Sequence, residues 1–175
     1  MPDSGVSVDA VNLALTVLRV CVGGMILAHG WNHLFGPGGV DGTASWFASI
    51  GLRPGRLHAV LASVTELVAG VLLIAGLAMP LAAGALAGVM VVAWVTAHRT
   101  NGFFIFRPGQ GWEYVMVVTV VALALGTLGA GEWSLDGVWD LGLSGWWPPV
   151  VTAALGFGGS ALLLAVFWRP GRTAD

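Results

Sequence analysis

The chain has no lysine and a single cysteine, and charged residues make up only 9% of its 175 residues. A water-facing globular surface draws on roughly a quarter of the residues being charged, so this chain cannot cover one. The net charge of −2 denies it the basic face that nucleic-acid binding requires. Cys21 stands alone, which excludes an intrachain disulfide and a CxxC thiol relay and leaves a thiolate metal site without ligands. No phosphate-cradling GxxxxGK[ST] loop is present, and no GxGxxG follows a strand-like run. No Ser/His/Asp arrangement stands out. The apolar runs do not alternate with polar residues, as the strands of an outer-membrane barrel would.

What is present is apolar. Hydrophobic residues make up 57% of the chain and the mean hydropathy is +0.85. The length is that of one domain. A helix needs about 20 apolar residues to cross a hydrocarbon core of roughly 30 Å. Five runs meet that need: residues 11–31, 57–79, 81–98, 112–130 and 148–168. Lipid offers no hydrogen-bond partner to an open strand edge, so the runs predict helices. The first run follows Asp3 and Asp9 with no basic residue before it, and it carries Arg19; that is not the pattern of a cleaved signal peptide. The expected fold is an all-α integral membrane protein. Four helices form a transmembrane bundle of two hairpins (core 1–137), with an outer loop, a fifth C-terminal span and a short tail in 138–175. Pro80 is expected to make the turn between spans two and three.

Six of the seven arginines fall in connections that a five-span chain puts on one side: Arg53, Arg56, Arg99, Arg107, Arg169 and Arg172. The other side holds Asp3, Asp9, Glu132, Asp136 and Asp140. The excess of arginine marks the cytoplasmic side, giving an outside N-terminus and a cytoplasmic C-terminus in a bacterial inner membrane. Trp31, Trp46, Trp112 and Trp168 fall near the inner interface. Trp133, Trp139, Trp146 and Trp147 fall near the outer one, as anchoring belts do. The segment 42–52, "GTASWFASIGL", is too short to span. Thr43 is expected to cap a short helix ended by Gly51, with Trp46, Phe47 and Ile50 against the membrane surface.

A weak internal repeat has a period of 69 residues: Ala28/Ala97, His29/His98, Asn32/Asn101 and Phe35/Phe104. A duplicated two-helix hairpin would produce it.

Two charges lie inside spans, Arg19 in the first and Glu66 in the second. Each costs about 2.5–3.5 kcal/mol at the bilayer centre on insertion scales. Both count to similar depth on antiparallel helices, so an ion pair across the hairpin is expected, either as a structural clamp or as a proton or ligand site. The stretch "AHGWNHLFGPGG" puts His29 and His33 four apart, on one helix face. All four histidines map to the inner half of the membrane, with Asn101 and Glu113 on the same side. The expected polar pocket therefore comprises Arg19, His29, His33, Glu66, His98, Asn101, Glu113 and Tyr114. It suits a quinone head group, a small polar solute or a metal. HxxxH with His98 as a third ligand is a weak Zn²⁺ pattern, because the glutamate of a metalloprotease helix is missing; a haem between His29 and His98 is a weaker one. Interfacial histidines that simply meet water are the plain alternative.

The stretches "LRVCVGGMILAHGWNHLFG", "ASWFASIGL", "ELVAGVLLIAGL", "AHRTNGFF", "WEYVMV" and "GAGEWSLDG", over about residues 17–137, resemble in order and spacing the DoxX family of small bacterial membrane proteins. Arg19, His29–Gly30, Glu66, Gly70, Asn101–Gly102–Phe103 and Glu113–Tyr114 stand at that family's marked positions. His33 stands where the family often has lysine, and the fifth span lies beyond its usual four-helix core, where it could dock a partner. The family is similar to a membrane subunit of a thiosulfate:quinone oxidoreductase. In mycobacteria-like bacteria it is linked to a membrane-associated complex with superoxide dismutase and a thiosulfate sulfurtransferase. The resemblance thus implies a membrane anchor or subunit of a redox complex tied to oxidative stress and thiol balance, with soluble partners at the cytoplasmic face and a quinone or a small sulfur compound as candidate occupants of the pocket; it assigns no cofactor. A small-solute transporter or channel using Arg19 and Glu66 is a second reading. A self-contained quinone- or metal-binding enzyme is a third. A homo-oligomer is compatible with each.

Overall fold

The computed structural model describes residues 7–141 and 143–171; Asp3 and Arg172 of the charge map lie outside them. The described residues are helical, with no strand among them. The helices are α1 (Val8–Phe35), α2 (Gly39–Ser49), α3 (Gly55–Ala75), α4 (Met79–His98, its last turn wound as a π-helix), α5 (Glu113–Leu128), α6 (Leu135–Val138) and α7 (Trp147–Phe167, with a π-helical turn at Ala154–Gly159). Four of them, α1, α3, α4 and α7, are long and apolar enough to cross a membrane. The apolar α5 has 16 residues, about 24 Å at 1.5 Å per residue, and falls short of the span expected over 112–130. Gly129 ends it with φ 82°, and the chain then folds back over the bundle end instead of continuing outward.

Local chemistry sets the helix ends. Ser7 caps α1, its hydroxyl accepting from the amide of Ala10 at 3.1 Å. Gly76, at φ 64°, ends α3: its amide reaches Leu73 O (3.1 Å) and that of Leu77 reaches Leu72 O (2.9 Å). This paired closure needs a left-handed residue, hence glycine. The α3–α4 turn is therefore made by Gly76–Ala78, and Pro80 sits inside the first turn of α4, where its missing N–H is harmless. Thr43 does not cap α2. The helix starts earlier, after Gly38 at φ 81°, and the Thr43 hydroxyl donates to His33 O at the end of α1 (2.9 Å). Phe47 is also not at the membrane surface: it is buried with Leu52 and Ala59, while Trp46 stays exposed.

Helices in lipid gain little from hydrophobic sorting, so they associate through close packing of small residues and through polar contacts. The α1–α3 pair does both. A Cβ on Gly23 would come within 2.8 Å of Gly70 O, and one on Gly30 within 3.0 Å of the Glu66 Cβ and Ser63 O. Ile26 and Leu73 fill the space between, joined by Leu86, Ala122 and Leu125 from α4 and α5. This register sets Gly30 beside Glu66 and Gly23 beside Gly70 and Ile74. Arg19, a further turn along, is therefore level with the end of α3. Eight residues of helix, about 12 Å, separate that level from Glu66. The expected Arg19–Glu66 pair does not form, because counting depth from the ends of the apolar runs misjudged how far α1 extends on both sides.

Arg19, 1% exposed, instead closes the end of the bundle. Its guanidinium donates to Ile74 O (3.1 Å) and Leu73 O (3.4 Å), to the Thr16 hydroxyl (3.1 Å) and to Trp133 O (2.8 Å). The α3 carbonyls are the orphaned acceptors of a helix C-terminus, where a cation is favoured. Asp136 does the converse at the start of α4. Its carboxylate accepts from the amides of Ala78 (2.7 Å) and Met79 (2.9 Å), an anion at a helix N-terminus. Asn12 fixes the same loop through Glu132, accepting from its amide (2.9 Å) and donating to its carboxylate (3.0 Å). Losing a charged hydrogen-bond donor while its acceptors stay buried costs about 3 kcal/mol. Arg19→Gln should lower unfolding stability in detergent by that amount, and Arg107→Gln, at an exposed position, should leave it unchanged. Equal stability of the two variants would contradict the clamp.

Candidate ligand site

Between α3 and α4, on the side of the molecule that carries Arg53, Arg56, Arg99, Arg107 and Arg169, lies a cavity of about 470 Å³. Ligand pockets span about 300–1,000 Å³. Its α3 wall is a single helical stripe, His58, Leu61, Ala62, Thr65 and Glu66, at the spacing that faces one side. The α4 wall runs from Gly84, Ala85 and Gly88 through Met90 and Ala93 to Thr96. His29 and His33 come from α1, Phe47 from α2, Tyr114 from α5 and Leu155 from α7. The lining is mostly apolar, with Thr65, Thr96, Gln110 and Ser160 and a cluster of titratable side chains as its polar part.

Glu66 is the centre of that cluster. It is 4% exposed. Its Oε2 lies 3.5 Å from His33 Nε2, and among the described residues that oxygen has no hydrogen-bond partner. A buried carboxyl oxygen with an open valence invites a ligand group, since leaving such an atom unsatisfied costs free energy. The His33 ring packs on Phe47, centroids 5.7 Å apart, which holds it against the carboxyl. Tyr114, on the neighbouring wall, donates to Met25 Sδ (2.9 Å) and stands 3.5 Å from His29 Nε2. His58 Nε2 is likewise buried without a described partner, and its ring meets Phe167 edge-on at 5.0 Å. A carboxyl and an imidazole side by side can hold a hydrogen-bonding head group and exchange a proton with it.

Of the residues expected in the pocket, His29, His33, Glu66, His98 and Tyr114 do line one cavity. Three stand elsewhere. Arg19 closes the far end of the bundle. Asn101 braces the α4–α5 connection, donating to Ala97 O (2.9 Å) and Gly109 O (2.6 Å). Glu113 accepts from the amide of Ile105 in that connection (3.1 Å). His98 itself is engaged by Gln110 O at 2.8 Å. Among the described residues no three His, Cys, Asp or Glu side chains assemble as a metal's ligands, so His29, His33 and His98 do not form the weak Zn²⁺ pattern. Sequence reasoning left out His58, Thr65 and the α7 wall. The α3 stripe from His58 to Glu66 was the signal for the first two; α7 had no signal, because its apolar residues read the same whether they face lipid or a cavity.

The DoxX family model matches residues 14–99, which run from inside α1 through the whole of α4. The chain belongs to the DoxX family over this stretch. No curated protein and no solved structure shows significant similarity to it. The matched DoxX segment supplies Arg19, His29, His33 and Glu66. The α5 and α7 walls of the cavity come from beyond it.

A lipid-soluble carbodiimide adds to carboxyl groups in apolar surroundings. Treatment of the membrane-embedded protein with dicyclohexylcarbodiimide, followed by peptide mass mapping, should place the adduct on Glu66. Adducts confined to Glu113, Glu132 or the aspartates would contradict the cavity as described.

Proposed function

We propose that this DoxX protein is a multi-pass membrane subunit of an oxidoreductase assembly and that its cavity holds the head group of a quinone-class ligand. The observation that carries the reading is the one-sided cavity itself. It is apolar over most of its wall, it is large enough for a ring system, and its polar pole is a buried carboxyl with an open valence beside an imidazole. A hydrogen-bonding ring with an apolar body matches that lining. Glu66 and His33 bind and orient the head group, and they relay protons between it and the arginine side through His33, whose side chain is 18% exposed. The electrons would pass to or from the partner subunits of the assembly.

The disposition of charge supports the rest. Counting α5 as a fifth, short span puts all the described connecting arginines on one side, which the positive-inside rule assigns to the cytoplasm. The N-terminus is then outside, the location is the inner membrane of a bacterium, and the core is two helical hairpins with α7 added. Soluble redox partners such as a dismutase or a sulfurtransferase would dock at the arginine face, beside the exposed Phe104 and Phe106 of the α4–α5 connection. The transporter reading is less well supported. It needs a path to the other side, and Arg19, Asp136 and the loop they hold occupy that path.

The purified protein in lipid nanodiscs should bind a short-chain benzoquinone saturably. Glu66→Gln, which keeps the shape and removes the ionisable group, should weaken binding about tenfold, or about 1.4 kcal/mol. Glu132→Gln should not change it. Identical affinity in both variants would remove Glu66 from the site.

A further inference from the structure

The cavity wall is not uniform. Glu66, His33 and Tyr114 gather titratable groups on it. Leu61 of α3 and Leu155 and Gly159 of α7 line it too. Leu61 and Leu155 are also 45% and 43% exposed, and they sit on two helices long and apolar enough to cross the bilayer. The same side chains therefore border the cavity and meet lipid. The cavity opens sideways, into the hydrocarbon, between α3 and α7.

The fixation of α7 leaves this gap in its middle. Toward its start, Thr152 donates to Pro80 O (3.2 Å). A Cβ on Gly156 would come within 2.8 Å of the Ala87 Cβ, so α7 is seated tightly on α4 there. At its far end the Trp168 indole donates to Ile50 O (3.0 Å) and the Arg169 amide to Gly51 O (2.7 Å), tying α7 to the α2–α3 connection. Between these two anchorages comes Gly159, in ordinary helical conformation with φ −62° and ψ −45°. A Cβ there would meet no atom within 4 Å. The π-helical turn Ala154–Gly159 is a local widening of a kind found often at functional sites.

We infer that the ligand enters from the bilayer between α3 and α7, with its head group at Glu66 and an apolar tail lying across Gly159. The ligand class is then a tailed, lipid-phase amphiphile, as opposed to a water-borne head group. Gly159, beyond the DoxX match, becomes a specificity-determining position, because the absence of a side chain there keeps the portal open. This inference rests on the ligand reading of the cavity given above.

The test compares a decyl-tailed benzoquinone with the same ring lacking the tail, each titrated onto the full-length protein in nanodiscs. Gly159→Leu adds a side chain at the portal without backbone strain. Gly158→Leu adds the same volume at a neighbouring residue that also meets nothing within 4 Å but does not line the cavity. The expected result is a loss of about tenfold in affinity for the tailed compound in Gly159→Leu, with the tailless ring held within about twofold and Gly158→Leu matching the wild type for both. Equal effects on tailed and tailless compounds, or none on either, would overturn the lateral portal while leaving the head-group site standing. Failure of the wild-type protein to bind either compound would overturn the quinone reading and the portal together.

Discussion

The structure depends on what Arg19 does with its charge. An arginine inside a membrane helix must find acceptors, and the free ends of neighbouring helices supply them. Arg19 takes the last carbonyls of α3 together with Trp133 O from the returning loop. One side chain thereby ties α1 to the end of α3 and holds the 129–138 loop in position. Asp136 completes the closure by holding the first amides of α4. Opposite charges here neutralise opposite helix ends without touching each other.

That closure leaves Glu66 without the cation it would otherwise claim. The α1–α3 register sets it beside Gly30 and His33, about two helical turns from the Arg19 level. The cavity runs beside α3 and α4 toward the arginine side, bordered by His58 to Glu66 on one helix and Gly84 to His98 on the other. The two membrane charges thus have separate roles. One seals the bundle at one end; the other opens to a ligand at the other end. The same division explains why the cavity is one-sided.

Much of this was legible in the residues. Composition alone demanded a membrane protein, and the apolar runs located α1, α3, α4 and α7 to within a few residues. His29, His33, Glu66, His98 and Tyr114 were legible as neighbours, because helical spacing and the side of the membrane bring them together. Partner choice was not legible. Arg19 and Glu66 looked like a pair because opposite charges at similar counted depth should meet, yet close packing at Gly23 and Gly70 decides the register, and backbone carbonyls outcompete the carboxylate. Asn101 and Glu113 were assigned to the pocket by location, whereas short-range hydrogen bonds commit them to their own loop. The shortness of α5 and the insertion of Asp136 depend on glycine-rich turns whose direction an apolar profile does not encode.

The most direct test of this division is a double-mutant cycle on unfolding stability in detergent, using wild type, Arg19→Gln, Glu66→Gln and the double variant. Sites that are distant and share no partner add within about 0.5 kcal/mol, and additivity is the result this account predicts. A coupling of about 1 kcal/mol or more, with the double variant less impaired than the sum of the singles, would mean that the two charges stabilise each other as an ion pair. That result would contradict the separation of the sealing charge from the ligand-facing one.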